Sequence, residues 1–302
     1  MNTKKSQAIG LIGLGQAGIS LATALLRRFD LIGYDLDADR CAIAGDAGVH
    51  IAASSAAVAD ACEIVLLSLP TSQASRSAAL NLAKGQIAGR LVIETSTVSP
   101  EDIDWLSAFF ATYQATVMDS AIVGGVHKLA AGKTTFLVGG SPADFARAKP
   151  VLDVMAEEIF HLGAAGSGMR AKLINNAIAH TTMVMLLEGA ALAAKAGVPI
   201  DLYYKLLRRE SGLLRPLTHR IGERVMGQDF EGGMNTANAR KDSALAIEFA
   251  NKMGVPLFTM QASHSVYEMA VGEGLGALDY ASISKLWERW LGVSFKGTVQ
   301  KE

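Results

Sequence analysis

Lys172 and Asn176 form the pair of side chains in this sequence that is best suited to acid–base chemistry. Side chains four residues apart project from the same face of a helix, so both can reach one substrate. A lysine near a helix N-terminus, in a desolvated cleft beside another cation, has its pKa lowered from a model value of roughly 10.4. Such an amine can donate and accept protons near neutral pH. A solvated lysine beside a capping asparagine is the alternative, and the pair alone leaves both interpretations open.

The helix that must position this pair is predicted from the stretch between Gly163 and Gly197. Gly163, Gly166 and Gly168 precede a long proline-free run, rich in Ala, Leu and Met, which ends at Gly197 and Pro199. This pattern predicts a long helix with a flexible entry and a glycine stop. At about 1.5 Å per residue, it would span on the order of 40 Å, the width of a whole domain.

Two domains are predicted on either side of this helix. A chain of 302 residues exceeds one ordinary compact core. Strand and helix patterns alternate before the long helix, and only helical patterns follow it. We therefore predict a doubly wound α/β domain over residues 1–165 and an all-helical domain over residues 166–302, joined by the interdomain helix.

A glycine pattern typical of dinucleotide binding lies near the N-terminus. The apolar run Ala8–Leu14 leads into Gly13-Leu14-Gly15-Gln16-Ala17-Gly18, and an amphipathic run follows. A strand, a tight turn and a helix in this order give the G-x-G-x-x-G spacing the context that it needs. Gly13 permits the turn, Gly15 lets a pyrophosphate approach the backbone, and Gly18 lets the helix pack closely on the strand. The helix N-terminus adds amide donors, so all six motif residues are candidates for cofactor binding.

Asp35 is the residue that should choose between NAD and NADP. It follows the predicted strand Leu31–Tyr34, where a carboxylate can bind both hydroxyls of an adenosine ribose. A 2′-phosphate there would meet the negative charges of Asp35, Asp37 and Asp39, with Arg40 alone to counter them. We expect NAD as the cofactor, with NADP disfavoured. The alternative is that Asp35 merely caps the following helix.

Two continuous apolar runs, Cys62–Leu69 and Leu91–Ile93, predict strands that are buried on both faces of a parallel sheet. The polar loops after them begin at Pro70 and at Glu94. Ligands bind at the carboxyl ends of strands in open α/β sheets, so both loops should face the cofactor.

Shorter patterns predict the remaining elements. The α/β domain should add a strand at Thr116–Met118 that leads into a loop, a strand at Thr134–Val138, and a helix from Pro142 to about Glu157. The helical domain should contain helices at Asp201–Arg208, Arg215–Met226, Asn238–Met253, Leu257–Gly272 and Tyr280–Trp290.

Composition and charge argue against several classes of partner. The net charge of −1 gives no electrostatic case for nucleic acid or an anionic membrane. His180 and Glu188 interrupt the apolar stretch that most resembles a membrane span, so no membrane is expected. The two cysteines, Cys41 and Cys62, lack redox or metal spacing and indicate a reducing compartment. We predict a cytoplasmic protein without a metal site, because the histidines are also scattered.

Several motifs in one order resemble those of the β-hydroxyacid dehydrogenase family, from about Ala8 to Trp290. They are GLGQAGISLATALL for the nucleotide signature, Leu69-Pro70 and Ser96-Thr97 for two cofactor loops, DSAIVGGVHKLAAGKTTFLVGG for the substrate loop, GSGMRAKLINN for the segment with the catalytic lysine, and Arg240-Lys241-Asp242. The resemblance implies hydride transfer between NAD(H) and a small β-hydroxyacid, or its semialdehyde or keto partner. An imine reductase of the same fold and a non-catalytic dinucleotide sensor are the alternatives.

The resemblance also implies roles for single residues. Lys172 would be the general acid or base, and Asn176 would orient the substrate. Gly124 and Gly125 would offer backbone amides to a substrate carboxylate. The residues that it implies for cofactor binding outside the glycine turn are Leu69, Pro70, Thr97 and Lys241.

Val123 departs from the pattern of the family, which commonly has a serine before Gly-Gly. The missing hydroxyl removes one hydrogen bond to a carboxylate, worth roughly 1.5–3 kcal/mol when it is charge-assisted. It also makes this wall of the substrate site apolar, so we expect a preferred substrate that differs from the common small hydroxyacids.

The long helix also predicts self-association. Its apolar residues, among them Ile178, Val184, Leu187 and Leu192, are spread around the helix rather than along one stripe. A helix that is apolar all round must be buried by more than one neighbour. We expect a homodimer or a higher homo-oligomer with contacts through the helical domain. The alternative is a monomer whose later helices wrap the long helix completely.

Overall fold

A computed structural model of the chain describes residues 8–209 and 213–297. The chain divides into two compact units, Met1–Ala177 and Ile178–Glu302, and the division falls inside one long helix. The domain boundary expected between residues 165 and 166 stays a prediction. A helix that continues from one unit into the next offers no break in the chain that would fix it.

The described part of the first unit contains eight strands, which form a single sheet. They are β1 (Ile9–Ile12), β2 (Leu31–Tyr34), β3 (His50–Ile51), β4 (Ile64–Leu67), β5 (Leu91–Glu94), β6 (Thr116–Val123), β7 (Thr134–Gly139) and β8 (Ala156–His161). Their order in the sheet is β3-β2-β1-β4-β5-β6-β7-β8, and only β6 and β7 are antiparallel neighbours. The chain reverses direction across the sheet at β1, which is the switch point of a doubly wound fold. The predicted fold class is confirmed.

Helices alternate with these strands. They are α1 (Gln16–Leu25), α2 (Ala38–Asp46), α3 (Ser55–Ala61), α4 (Ser72–Leu82), α5 (Pro100–Ala111), α6 (Val126–Ala130) and α7 (Pro142–Leu152). They cover both faces of the sheet, and β4 shows this directly. Ile64 and Leu66 pack in one apolar core, whereas Val65 and Leu67 pack in another, because successive side chains of a strand point to opposite faces.

Two predicted elements differ from the structure. The strand that begins at Thr116 continues to Val123 instead of ending at Met118. The helix expected to reach Glu157 ends at Leu152, so that prediction was wrong, and β8 follows. Pro150 contributes no amide donor to the last turn of α7. β8 lies at the edge of the sheet with both glutamates exposed, and therefore lacks the apolar pattern of an interior strand.

The long helix is confirmed as α8 (Ser167–Lys195). Its C-terminal stop is also as predicted. Gly197 has φ +75°, and the amides of Gly197 and Val198 donate to the carbonyls of Ala194 and Ala193 at 3.2 and 2.9 Å. Residues in the left-handed region satisfy the last carbonyls of a helix in this way, and glycine adopts that conformation without strain.

Helices make up the described part of the second unit, as predicted. They are the end of α8, α9 (Ile200–Leu207), a π-helix (Pro216–Val225), α10 (Thr236–Met253), α11 (Phe258–Gly272), a 3₁₀ turn (Tyr280–Ile283) and α12 (Ser284–Leu291). The buried carboxylate of Glu188 on α8 accepts the amides of Thr259 and Met260 at 2.8 and 3.2 Å, which caps the first turn of α11. The charge of Glu188, which interrupts the apolar run of α8, therefore stabilises the start of α11 within the second unit.

Much of the apolar surface of α8 is exposed. Among the described residues, it is the one helix long and apolar enough to cross a membrane by length and composition alone, and 6% of its most apolar window is buried. Its exposed large side chains are Leu173, Ile174, Ile178, Met183, Val184 and Leu187. Four of them, Ile178, Met183, Val184 and Leu187, belong to the second unit and stay exposed beside the described helices of that unit.

Candidate cofactor and substrate site

Three glycines shape the turn between β1 and α1. A Cβ on Gly13, which has φ +94°, would lie 2.1 Å from the carbonyl oxygen of Ser68. A Cβ on Gly18 would lie 2.0 Å from the carbonyl oxygen of Gly13. At Gly15, by contrast, the nearest atom is Nη1 of Arg40 at 3.7 Å. Gly13 and Gly18 are thus required by packing, whereas Gly15 leaves open space in front of the backbone.

The N-terminus of α1 is suited to an anion. Its N-cap residue, Gly15, makes no side-chain capping bond, and the first turn contains no acidic residue. The first amides of the helix are therefore free to donate to a ligand, and the positive end of the helix dipole favours negative charge there. An open glycine before uncapped amides fits the pyrophosphate of a dinucleotide.

Asp35 is held at the carboxyl end of β2 with its carboxylate oriented by the backbone. Its Oδ2 accepts the amide of Leu14 at 2.7 Å, and its Oδ1 accepts the amide of Asp37 at 3.0 Å. Arg40 Nη1 lies 3.8 Å from Oδ2. The N-cap of α2 is Asp37, which accepts the amides of Asp39 and Arg40, so the capping alternative for Asp35 is wrong. The Leu14 side chain is buried, and the residue contributes to the site through the backbone amide that it donates to Asp35.

These elements border a cavity of about 930 Å³ that lies within the first unit. The predicted site residues that line it are Gly13, Gly15, Gln16, Ala17, Gly18, Asp35, Leu69, Pro70, Thr97 and Gly124. The predicted residues of the same unit that do not line it are Leu14, Val123, Gly125, Lys172 and Asn176. Gln73 and Thr95 also line it and belong to the two loops predicted to face the cofactor, whereas Ser68, Ser77 and Asn81 are polar lining residues that were not predicted.

A hydrogen-bond network fixes the two cofactor loops to each other. Ser96 Oγ accepts the amide of Leu69 at 2.7 Å, and the amide of Ser96 donates to Oε1 of Glu94 at 2.8 Å. Glu94 is fully buried, and burial raises the pKa of its carboxyl from 4.5 to about 7. Glu94 begins one of the two loops predicted to face the cofactor, and its acidic side chain directly after an apolar run is a sequence signal for this buried position.

The substrate loop predicted at Val123–Gly125 lies at the end of β6. Gly124 has φ +135°, and a Cβ there would be 3.0 Å from Oγ1 of Thr134. That hydroxyl donates to the carbonyl of Val123 at 3.0 Å, which ties the loop to β7. Gly125 then begins α6 without a side-chain cap. The turn thus carries backbone amides that no side chain caps, beside the apolar Ile122 and Val126 of the cavity.

Lys172 and Asn176 lie on the first turns of α8, and both are half-buried. Burial lowers the pKa of the Lys172 ammonium group below its ordinary value. This shift has the direction that a base near neutral pH requires.

Lys241 belongs to α10 in the second unit. Its side chain is 63% exposed, and Nζ lies 3.1 Å from Oδ1 of the adjacent Asp242. An exposed pair of this kind contributes little to stability. The role of Lys241 toward the cofactor stays a prediction.

Two family models together match most of the chain. The model of the NAD binding domain of 6-phosphogluconate dehydrogenase matches residues 8–163. The model described as the NAD-binding domain of NADP-dependent 3-hydroxyisobutyrate dehydrogenase matches residues 166–287.

Relatives and solved structures agree with these models. The 2-(hydroxymethyl)glutarate dehydrogenase of Eubacterium barkeri is 30% identical over 299 residues, which cover 97% of this chain and 99% of that protein. The 3-hydroxyisobutyrate dehydrogenase of Mycobacterium tuberculosis, whose structure was solved with L-serine, is 26% identical with a TM-score of 0.66 over 93% of this chain and 99% of that one. An imine reductase from a Pseudomonas species has a TM-score of 0.83 over 93% and 99% at 20% identity, which shows the fold alone. This chain belongs to the β-hydroxyacid dehydrogenase family and is an NAD(P)-dependent oxidoreductase.

Proposed function

We propose that this protein transfers a hydride reversibly between NAD(H) and a small β-hydroxyacid or its semialdehyde or keto partner. The observation that carries the proposal is a half-buried lysine of lowered pKa, Lys172, in the same compact unit as the complete dinucleotide turn. Both dehydrogenase relatives are named for substrates with a hydroxyl group β to a carboxylate.

In this mechanism, Lys172 Nζ takes the hydroxyl proton during oxidation and returns it to the carbonyl oxygen during reduction. Bound NAD supplies the hydride acceptor. Asn176, one turn further along α8, orients the hydroxyl group of the substrate. The amides of Gly124 and Gly125 donate to the substrate carboxylate, and burial of Lys172 keeps enough of the amine neutral for it to act as the base.

The preferred cofactor is proposed to be NAD. A 2′-phosphate adds about −1.5 to −2 charge, and it would lie beside the carboxylates of Asp35 and Asp37. Arg40 opposes this preference, but its guanidinium already lies 3.8 Å from Asp35 and 3.5 Å from Asp37. The family model over residues 166–287 takes its name from an NADP-dependent enzyme, which makes this preference a direct point of test.

The substrate is proposed to carry an apolar substituent. Val123 replaces the hydroxyl common at this position, and the neighbouring Ile122, Val126 and Leu129 line the cavity. Burial of an apolar substituent against this wall favours binding, and the apolar side chains offer no hydrogen-bond donor to a second polar group of the substrate.

The test measures the oxidation of a panel of substrates through the absorbance of the NADH that forms. The panel contains 3-hydroxyisobutyrate, L-serine, 2-(hydroxymethyl)glutarate and larger β-hydroxyacids. Lys172→Ala should lower kcat/KM on the best substrate by about 10²–10⁴-fold, with little change in NADH affinity. Lys195→Ala, which removes an exposed lysine at the other end of α8, is the matched control. Near-normal turnover by Lys172→Ala would contradict the role of Lys172 as the general acid or base. Turnover of a cyclic imine alone would favour an imine reductase, and tight NADH binding without turnover would favour a sensor.

We further propose that a second copy of this chain covers the exposed face of α8. Ile178, Val184 and Leu187, which all belong to the part of the helix in the second unit, are exposed. Burying each such side chain contributes roughly 1.5–3 kcal/mol, which favours a homodimer or higher homo-oligomer.

A further inference from the structure

Asp119 is a fully buried carboxylate at the start of the helix that carries Lys172. It lies in β6, and its side chain accepts two backbone amides from the beginning of α8. Oδ1 accepts the amide of Gly166 at 2.6 Å, and Oδ2 accepts the amide of Met169 at 2.7 Å. One side chain of the sheet thus satisfies two amides of this N-terminus, which would otherwise lack partners.

Two glycine backbones pack closely against this carboxylate at the helix start. A Cβ on Gly139 of β7 would lie 2.5 Å from Oδ1 of Asp119. A Cβ on Gly168 would lie 2.8 Å from Oδ2 and 2.3 Å from the carbonyl oxygen of Leu137. The backbones of β7 and α8 therefore approach the carboxylate as closely as glycine allows.

We propose that Asp119 is a positioning residue for the reaction, which fixes the first turn of α8 to the strand that ends in the substrate loop. Asp119 and Val123–Gly125 share β6, whereas Lys172 and Asn176 lie one to two turns beyond the amides that Asp119 holds. The proposal rests on the proposed function, because it assigns Asp119 an effect through Lys172. Asp119 lies outside the cavity lining.

The charge of Asp119 has a second consequence for Lys172. An anion at a helix N-terminus offsets the positive end of the dipole, which otherwise disfavours the ammonium form of a lysine in the first turns. Burial raises the pKa of Asp119, whereas the two amides and the positive charge of Arg170 favour its ionised form. Neutralising Asp119 should therefore lower the pKa of Lys172 further.

Asp119→Asn tests both effects, because it keeps the shape and removes the charge and one acceptor. We expect kcat to fall about tenfold or more with KM for NAD within about twofold. The pH midpoint of Lys172 acetylation, followed by mass spectrometry without substrate, should move about half a pH unit lower. Asp144→Asn is the matched control. Asp144 is also buried and ties β6, through Thr116 Oγ1 at 2.7 Å, to the first turn of α7, which has no active-site lysine.

Gly168→Ala is the second variant, in case Asp119→Asn fails to fold. Alanine favours the helix by roughly 1 kcal/mol, but its Cβ must separate the helix start from Asp119. It should move the acetylation midpoint in the same direction and lower kcat. An unchanged midpoint and kcat in the folded variants, or equal changes in Asp144→Asn, would overturn the proposal. Loss of activity in Lys172→Ala alongside an unaffected Asp119→Asn would leave the proposed function standing and reject this inference alone.

Discussion

The two units of this chain bury their apolar side chains to different extents. In the first unit, every residue of β1, β4 and β5 is buried, and two cores fill the space on either face of the sheet. In the second unit, α9 has no buried residue, and its Ile200, Leu202 and Leu206 are all exposed. The cofactor-binding unit therefore completes its own core, whereas the helical unit leaves apolar side chains of α9 exposed, as expected if the proposed second copy covers apolar surface of this unit.

The close packing of the first unit is most restrictive at the glycine turn, where a side chain on Gly13 would overlap the backbone. Gly13→Ala combines a positive φ with a Cβ 2.1 Å from the carbonyl oxygen of Ser68, and should destabilise the unit by about 2–6 kcal/mol. Gly15→Ala meets open space and should change stability by less than about 1 kcal/mol while weakening NADH binding at least about tenfold. Urea unfolding and NADH titration separate the two. Equal stability of both variants would contradict the assigned packing.

The exposed face of α8 gives the corresponding test for the second unit. Leu187→Lys replaces a side chain that is 56% exposed and should weaken self-association about a thousandfold, because two copies each lose a buried leucine worth roughly 1.5–3 kcal/mol. Leu80→Lys, on α4 of the first unit, changes a leucine that is 52% exposed and should leave the assembly intact. Light scattering at micromolar concentration reports the mass. A wild-type mass near 31.8 kDa would end the idea of a partner copy. Recovery only with detergent would point to a lipid surface instead.

The same difference explains what the sequence could predict. The glycine turn and the long helix follow from local rules on φ, apolar runs and helix stops. The predicted bounds of β1, β2, β4 and β5 also lie within a few residues of the observed ones, whereas β6 continues to Val123. The role of Asp119 depends on Gly166 and Met169, which lie far along the chain, so no local pattern shows it. β8 escaped notice because an edge strand needs no apolar pattern. The π-helical hydrogen bonding of Pro216–Val225 likewise has no signal in its composition.

Glu94 should make the stability of the first unit depend on pH. Its pKa is about 7 in the folded protein and about 4.5 when exposed, so the folded state binds the proton more tightly. Stability from this group is therefore fully present below about pH 4.5 and is lost as the pH rises through about 7. The shift corresponds to at most about 3 kcal/mol. Glu94→Gln should remove this dependence and raise the free energy of unfolding at pH 8 relative to wild type. If the free energies of unfolding of the wild-type protein and Glu94→Gln differ by the same amount at pH 5 and at pH 8, the assigned role of Glu94 is contradicted.

Asp35→Ser should produce the smallest change, a shift in cofactor preference by about tenfold to a hundredfold. The carboxylate loses its repulsion of a 2′-phosphate, so NADPH is admitted, and NADH loses an acceptor for its ribose hydroxyls. Arg40, which lies 3.8 Å from Asp35, is then free to attract the phosphate. The amide of Leu14 loses its partner at 2.7 Å, so a modest loss of stability should accompany the change.

Asp39→Ser, on the exposed first turn of α2, is the matched control for removing one local negative charge. The measurement is kcat/KM for NADH and NADPH in each variant. If the wild-type protein uses NADPH as well as NADH, the carboxylate of Asp35 does not set the preference, and the turn after β2 accepts either cofactor.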